Sequence, residues 1–135
     1  MIPKPDLLYC SHLELHAAQQ WLKMTIERGP MSSQYLYRIQ ATRDGFLIES
    51  TPEEDAIVSA HFHYLKDLTE QGIVLMAGRT LHTDDTSHGL VVFVADSEGH
   101  ARAIVENDPA VKGGMFRAEL FPFAVALASE KILPT

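Results

Sequence analysis

Apolar positions along this chain change period several times, and each change marks an element. Leu13, Ala17, Trp21 and Met24 recur near helical spacing behind a Ser11/Glu14 capping-box pair, and Gly29-Pro30 stops the run, which predicts a short amphipathic helix. Tyr35 to Ala41 is aromatic and aliphatic up to an Asp44-Gly45 turn, the mark of a first strand. Thr51-Pro52-Glu53-Glu54 supplies an N-cap, a proline for the first turn and acids that suit a helix start. The helix is expected to run to about Gln71, with Gly72 as its C-terminal stop. Ile73 to Ala77 is a continuous apolar run and reads as a buried second strand. Polar, turn-rich residues from Gly78 to Ser87 separate it from a third strand at Leu90 to Ala95, so the hairpin loop is long, at about ten residues. Asp96 or Ser97 can cap a further helix, which turns Ala101, Ile104 and Val105 inward until Pro109 ends it. After Gly113-Gly114, Phe116 to Leu127 reads as a long final strand interrupted by Pro122, which cannot donate to a ladder and implies an edge or a bulge.

The order β-α-β-β-α-β predicts an α+β fold of the ferredoxin-like kind, a four-stranded antiparallel sheet with both helices on one face. Residues 1–33 are then an N-terminal extension with one helix, and residues 34–135 are the domain. Met31 directly precedes the first strand, so an alternative start there is a further expectation. Tyr35, Tyr37 and Ile39 alternate along the first strand, as do Phe121, Phe123, Val125 and Leu127 along the last, so both sheet faces are expected to be apolar. A monomer would leave the uncovered face in water, and a homodimer is expected.

Composition narrows the function classes. The chain has 135 residues, 46% hydrophobic and 21% charged, which suits a single ordinary core. A formal net charge of −7, with Lys and Arg scattered, disfavours nucleic acid and anionic lipid as partners. Cys10 is the sole cysteine, so no intrachain disulfide can form and no Cys/His zinc framework exists. No apolar run is long enough to span a bilayer, and the N-terminal residues lack the apolar core of a signal peptide, so a cytoplasmic location is expected.

The candidate chemistry centres on two inward positions. At about 100° per residue, Ile57, Tyr64, Leu65 and Leu68 fall within roughly 60° of His61 on a helical wheel, whereas His63 lies about 200° away and faces water. Asp108 continues the inward positions of the second domain helix. A carboxylate there can hold one ring nitrogen of His61 and leave the other as a general base. The blander account is a core histidine with a satisfied hydrogen bond and an Asp-Pro turn device. Tyr37, Tyr64 and Arg79 are the candidate substrate-contacting residues. Arg38, Arg79 and Arg117 have the forked donors that suit an anion, with Glu49 and Glu119 as the surface acids that would otherwise pair with them. His82, Asp84, Asp85 and His88 crowd the hairpin loop and are metal-ligand types, but polar loops of this kind are more often solvated turns, and no metal site is assigned. Neither a phosphate-binding glycine pattern nor a Ser or Cys nucleophile motif is present, and no cofactor is expected.

Three spaced motifs, AHFHYLKDLTEQG at 60–72, VLMAG at 74–78 and DPAVKGGMF at 108–116, give the chain a resemblance over about residues 34–127 to the YciI-like (YCII-related) family of dimeric α+β barrel proteins. The resemblance implies that His61 matches the family's helix histidine and that Asp108-Pro109 matches its Asp-Pro, the pair regarded as the active site. Family members include a dehydrochlorinase acting on a chlorinated hydroxyquinol, so a lyase or isomerase activity on a small molecule is implied. The family often has Gly-Pro after the second strand, where this chain has Gly78-Arg79. The competing expectation is a dimeric binding or accessory domain in which the same pair only fixes helix packing.

Overall fold

The computed structural model describes residues 12–27 and 33–133. The chain divides into two compact units, residues 1–31 and 32–135. The first contains helix α1 (His12–Glu27), where a helix is expected. The expectations at Cys10, Ser11, Gly29-Pro30 and Met31 fall outside the described residues, as do the side chains of Leu13, Trp21 and Met24.

The second unit begins with strand β1 (Gln34–Ala41) and helix α2 (Pro52–Glu70). The α2 start is a complete capping box: Glu54 N–H donates to the Thr51 hydroxyl, and Thr51 N–H donates to the Glu54 carboxylate. Gly72, at φ +74°, reverses the chain in a conformation that other residues adopt only with strain. Strands β2 (Val74–Arg79) and β3 (Gly89–Val94) form the hairpin, and helix α3 (Glu98–Glu106) is capped by the Ser97 side chain. The sheet closes with β4 (Phe116–Pro122), in the order β2-β3-β1-β4 with every pair antiparallel. This is the ferredoxin-like arrangement as an open sheet.

Two expectations need correction. Pro109 does not merely end the preceding helix; it opens a short helix α4 (Pro109–Lys112). Its fixed φ and missing N–H cost nothing at a first helical position, and they push Asp108 into the extended conformation of an N-cap. The last strand stops at Pro122 instead of continuing to Leu127. Phe123 N–H still bonds the Gln34 carbonyl, but β1 starts at Gln34 and the Ser33 carbonyl is taken by Ala95 N–H, and Val125 N–H turns to the Gln34 side chain. β4 lies at the sheet edge, where a terminal proline is tolerated.

Alternation decides which residues enter the core. Tyr35, Tyr37 and Ile39 share the helix-covered face with Val91 and Phe93, and pack with Leu65, Ala101, Ile104 and Val105. Full burial of such side chains contributes about 1.5–3 kcal/mol each. The opposite face carries Leu36, Arg38 and Gln40 beside Phe121, Glu119 and Arg117, so of the two faces this one mixes charge with apolar surface. A bulge between Val74 and Met76 sets two residues of β2 against one of β3 and reverses the side-chain alternation beyond it. No helix among the described residues is long and apolar enough to cross a membrane.

Candidate active site

Asp108 is the one charged side chain in the core of the described residues, with no exposure to solvent. Its position follows from local chemistry. As the N-cap of α4 it accepts from the Ala110 N–H at 3.0 Å, which satisfies an otherwise unpaired helix-start donor. From the sheet, the Tyr37 hydroxyl donates to Oδ2 at 2.9 Å. From α2, His61 Nδ1 lies 2.7 Å from Oδ1 and 2.8 Å from Oδ2. Sheet, α2 and α4 therefore converge on one carboxylate.

That convergence selects a tautomer. Donors already approach both oxygens, so the carboxylate acts as an acceptor and the His61 Nδ1 must carry the hydrogen it donates. Neutral imidazole then has its lone pair on Nε2, which makes no hydrogen bond to any described residue. The ring is further fixed by Phe116, edge-on at a centroid distance of 5.7 Å. Phe116 is in turn held by Phe46. The geometry is that of an oriented general base, with one nitrogen anchored and the other available.

His61 lines a cavity of about 770 Å³ in the second unit. Its walls come from β1, α2, β2 and the hairpin loop, with Ile39, Phe46, Leu65, Val91 and Phe116 supplying much of the apolar surface. The 3₁₀ turn at Glu130–Ile132 brings Ile132 and Leu133 to the same cavity. No periodicity in that short C-terminal stretch signals this contribution, and the sequence reading missed it.

Of the three candidate substrate contacts, Arg79 lines this cavity, whereas Tyr37 and Tyr64 do not. Tyr37 is completely buried and its hydroxyl is committed to Asp108. Burial, reinforced by the Asp108 charge and the hydrogen bond to it, pushes that hydroxyl far above the ordinary tyrosine range. Tyr64 donates to the Ile104 carbonyl at 2.7 Å and ties α2 to α3; burial, then the Asp108 charge, raises its hydroxyl as well. The signal for the Tyr37 role was present in the sequence: a tyrosine at an inward position of a central strand must find a partner for its hydroxyl.

The hairpin loop is organised by its own bonds. The Asp84 carboxylate accepts from Thr86, Asp85 accepts from Gly45 N–H at 3.0 Å, and His88 Nδ1 lies 2.9 Å from the Thr86 carbonyl. Among the described residues no group of three or more His, Cys, Asp or Glu side chains is placed to hold a metal ion.

Comparison with known proteins agrees with this architecture. A solved structure of 5-chloro-2-hydroxyhydroquinone dehydrochlorinase from Burkholderia phenoliruptrix, in complex with 2,5-dihydroxybenzoquinone, is similar with a TM-score of 0.50 and 25% sequence identity, covering 67% of this chain and 93% of that one. No curated protein gives a significant match. The family model of the YCII-related domain matches residues 34–124, from the first residue of β1 to just past β4, and the chain therefore belongs to the YCII-related domain family.

Proposed function

We propose that the domain is a cofactor-independent enzyme that takes a proton from a small molecule, in an elimination that passes the proton on to solvent or in an isomerisation. The observation that carries this reading is His61 held through Nδ1 by a buried carboxylate while its other nitrogen has no partner among the described residues beside a cavity. Nε2 takes the substrate proton and the Asp108 carboxylate stabilises the imidazolium that forms. In an elimination the electron pair of the broken bond to hydrogen becomes the new π bond, and the leaving group departs with its own pair. In an isomerisation the imidazolium returns the proton at a second carbon. The similar dehydrochlorinase bears a name that describes an elimination, which supports the same class of chemistry. Tyr37 and the Ala110 N–H are positioning groups, since they reach the imidazole only through Asp108.

Deuterium wash-in tests the proposal. Hydroxyquinones, hydroxybenzenes and 2-oxo acids are incubated in heavy water with wild type and with His61→Gln, and incorporation is read by mass spectrometry. Protein-dependent exchange that falls by about 10²–10⁴-fold in the variant is expected. Exchange at the wild-type rate in His61→Gln sinks the reading.

The same proposal takes residues 34–135 as the catalytic domain and residues 1–33 as an extension, working as a homodimer in the cytoplasm. Exposed Phe121 on β4, with Phe123 and Val125 just beyond the strand's end, supports the association. Light scattering should give a dimer mass that Phe121→Glu reduces to that of a monomer.

A further inference from the structure

We propose that Arg79 is the anion-binding group of this cavity, and that the molecule bound beside His61 carries a carboxylate or ionised hydroxyl on a flat apolar body. The proposal rests on the catalytic reading above and names its substrate class. Among the described arginines, four are engaged: Arg38 with Glu119, Arg43 with Glu54, Arg102 with Glu98, and Arg117 with Gln40. The Arg79 guanidinium has no hydrogen bond or ion pair to any described residue. Lys66, also on the cavity wall, is paired with Glu70. Asp84 and Asp85 line the wall too, but their carboxylates are taken by Thr86 and Gly45, and neither forms an ion pair with Arg79. One unpaired guanidinium remains on the wall.

The backbone aims it there. In a regular strand Arg79, five residues beyond Val74, would point to the opposite face from that core residue. The bulge between Val74 and Met76 removes that reversal, so Arg79 lies opposite Gly89, which itself lies opposite Ile39 on the helix-covered face. Gly89 is also held to a hydrogen at its α-carbon: a Cβ there would stand 2.9 Å from Ile39 Cγ1. At Gly89, between Arg79 and Ile39, β3 therefore carries no side chain of its own on this face, and the Ile39 side chain lies over it, so the cavity lining next to Arg79 is apolar. Planar apolar groups on the same wall, Phe46 and Phe116, suit a flat body, and a forked guanidinium suits a two-oxygen anion.

Benzoate and its neutral isostere benzamide are suitable probes, titrated by NMR into wild type, Arg79→Met and Arg79→Lys while the His61 imidazole resonances are followed. Benzoate should move those resonances, bind wild type about tenfold or more tighter than Arg79→Met, and recover part of the loss in Arg79→Lys. Benzamide should bind both proteins alike. Equal benzoate affinity in wild type and Arg79→Met, benzamide binding wild type as tightly as benzoate, or no benzoate binding at all would each overturn the proposal. Loss of the Arg79 effect while both probes still shift His61 leaves the catalytic reading intact. A persistent Arg79 effect beside unchanged deuterium exchange in His61→Gln keeps the anion site and removes the catalytic reading.

Discussion

Two carboxylates in this domain stand at the start of helices, and each gathers one backbone N–H and one nitrogenous side chain. Glu54 accepts from Thr51 N–H and from both Nε and Nη2 of Arg43, each at 2.7 Å. Asp108 accepts from Ala110 N–H, the Tyr37 hydroxyl and His61. The first cluster is closed, because a guanidinium never gives up its proton and its donors are spent on Glu54 and nearby carbonyls. The second is open, because an imidazole anchored at one nitrogen keeps a lone pair at the other. The same capping logic thus yields a fastener in one place and, on the proposed reading, a base in the other, and the difference is the identity of the partner and the cavity beside it.

Removing each carboxylate separates the two clusters most sharply. Asp108→Ala strips a buried phenol, a helix N-cap and an imidazole of their shared acceptor, and should destabilise the domain by about 3–5 kcal/mol in urea denaturation. Glu54→Ala should give a much smaller shift, since water reaches its surroundings. Asp108→Asn is the subtler probe. It keeps the shape but offers a donor where Nδ1–H needs an acceptor, so exchange should fall by about 10²–10⁴-fold while most of the fold survives. Comparable stability losses for Asp108→Ala and Glu54→Ala would dissolve the distinction.

Tyr37 extends the comparison to high pH. Its hydroxyl is raised by burial and by Asp108, so the stability it contributes is complete below its unfolded value of 10.0 and is lost as pH climbs above that value toward the folded one. Thermal melts should show wild type weakening above pH 10 more steeply than Tyr37→Phe. At neutral pH the same variant should cost about 1–2 kcal/mol for the lost hydrogen bond. Parallel alkaline profiles would mean that Tyr37 does not sense the Asp108 charge.

Most of the fold was legible in the sequence because its signals are local. The Thr51 cap, the Gly72 reversal and the wheel position of His61 each depend on a few neighbouring residues, and the structure has all three. Asp108 was found from its inward spacing, although its residence on a separate helix α4 was not, since an Asp-Pro can close one helix or open the next. What escaped depends on partners distant in the chain. The end of β4 is set by where β1 begins, the commitment of Tyr37 by Asp108, and the aim of Arg79 by a bulge that only strand pairing reveals. The proposal of Arg79 over Arg38 and Arg117 as anion binder likewise needed the acids and amides that engage the other two.

The smallest expected effect belongs to the closed cluster at low pH. The hydrogen bonds from Arg43, followed by the one from Thr51 N–H, hold the Glu54 carboxyl at about 2, below its ordinary 4.5. A depressed folded value means that the stabilisation is present above pH 4.5 and drains away as pH falls toward about 2. Glu54→Gln isolates this contribution, because glutamine preserves the capping box and removes the charge that faces Arg43. In acid titrations followed by circular dichroism, wild type should lose stability more steeply than Glu54→Gln through that window. The other carboxylates titrate alike in both proteins and cancel in the difference. Ions reach this pair, so about 0.5–1 M salt should bring the two profiles together. Profiles already superimposed at low salt would show that the Arg43 bonds stabilise neither protonation state, and the closed cluster would then be a geometric contact without electrostatic weight.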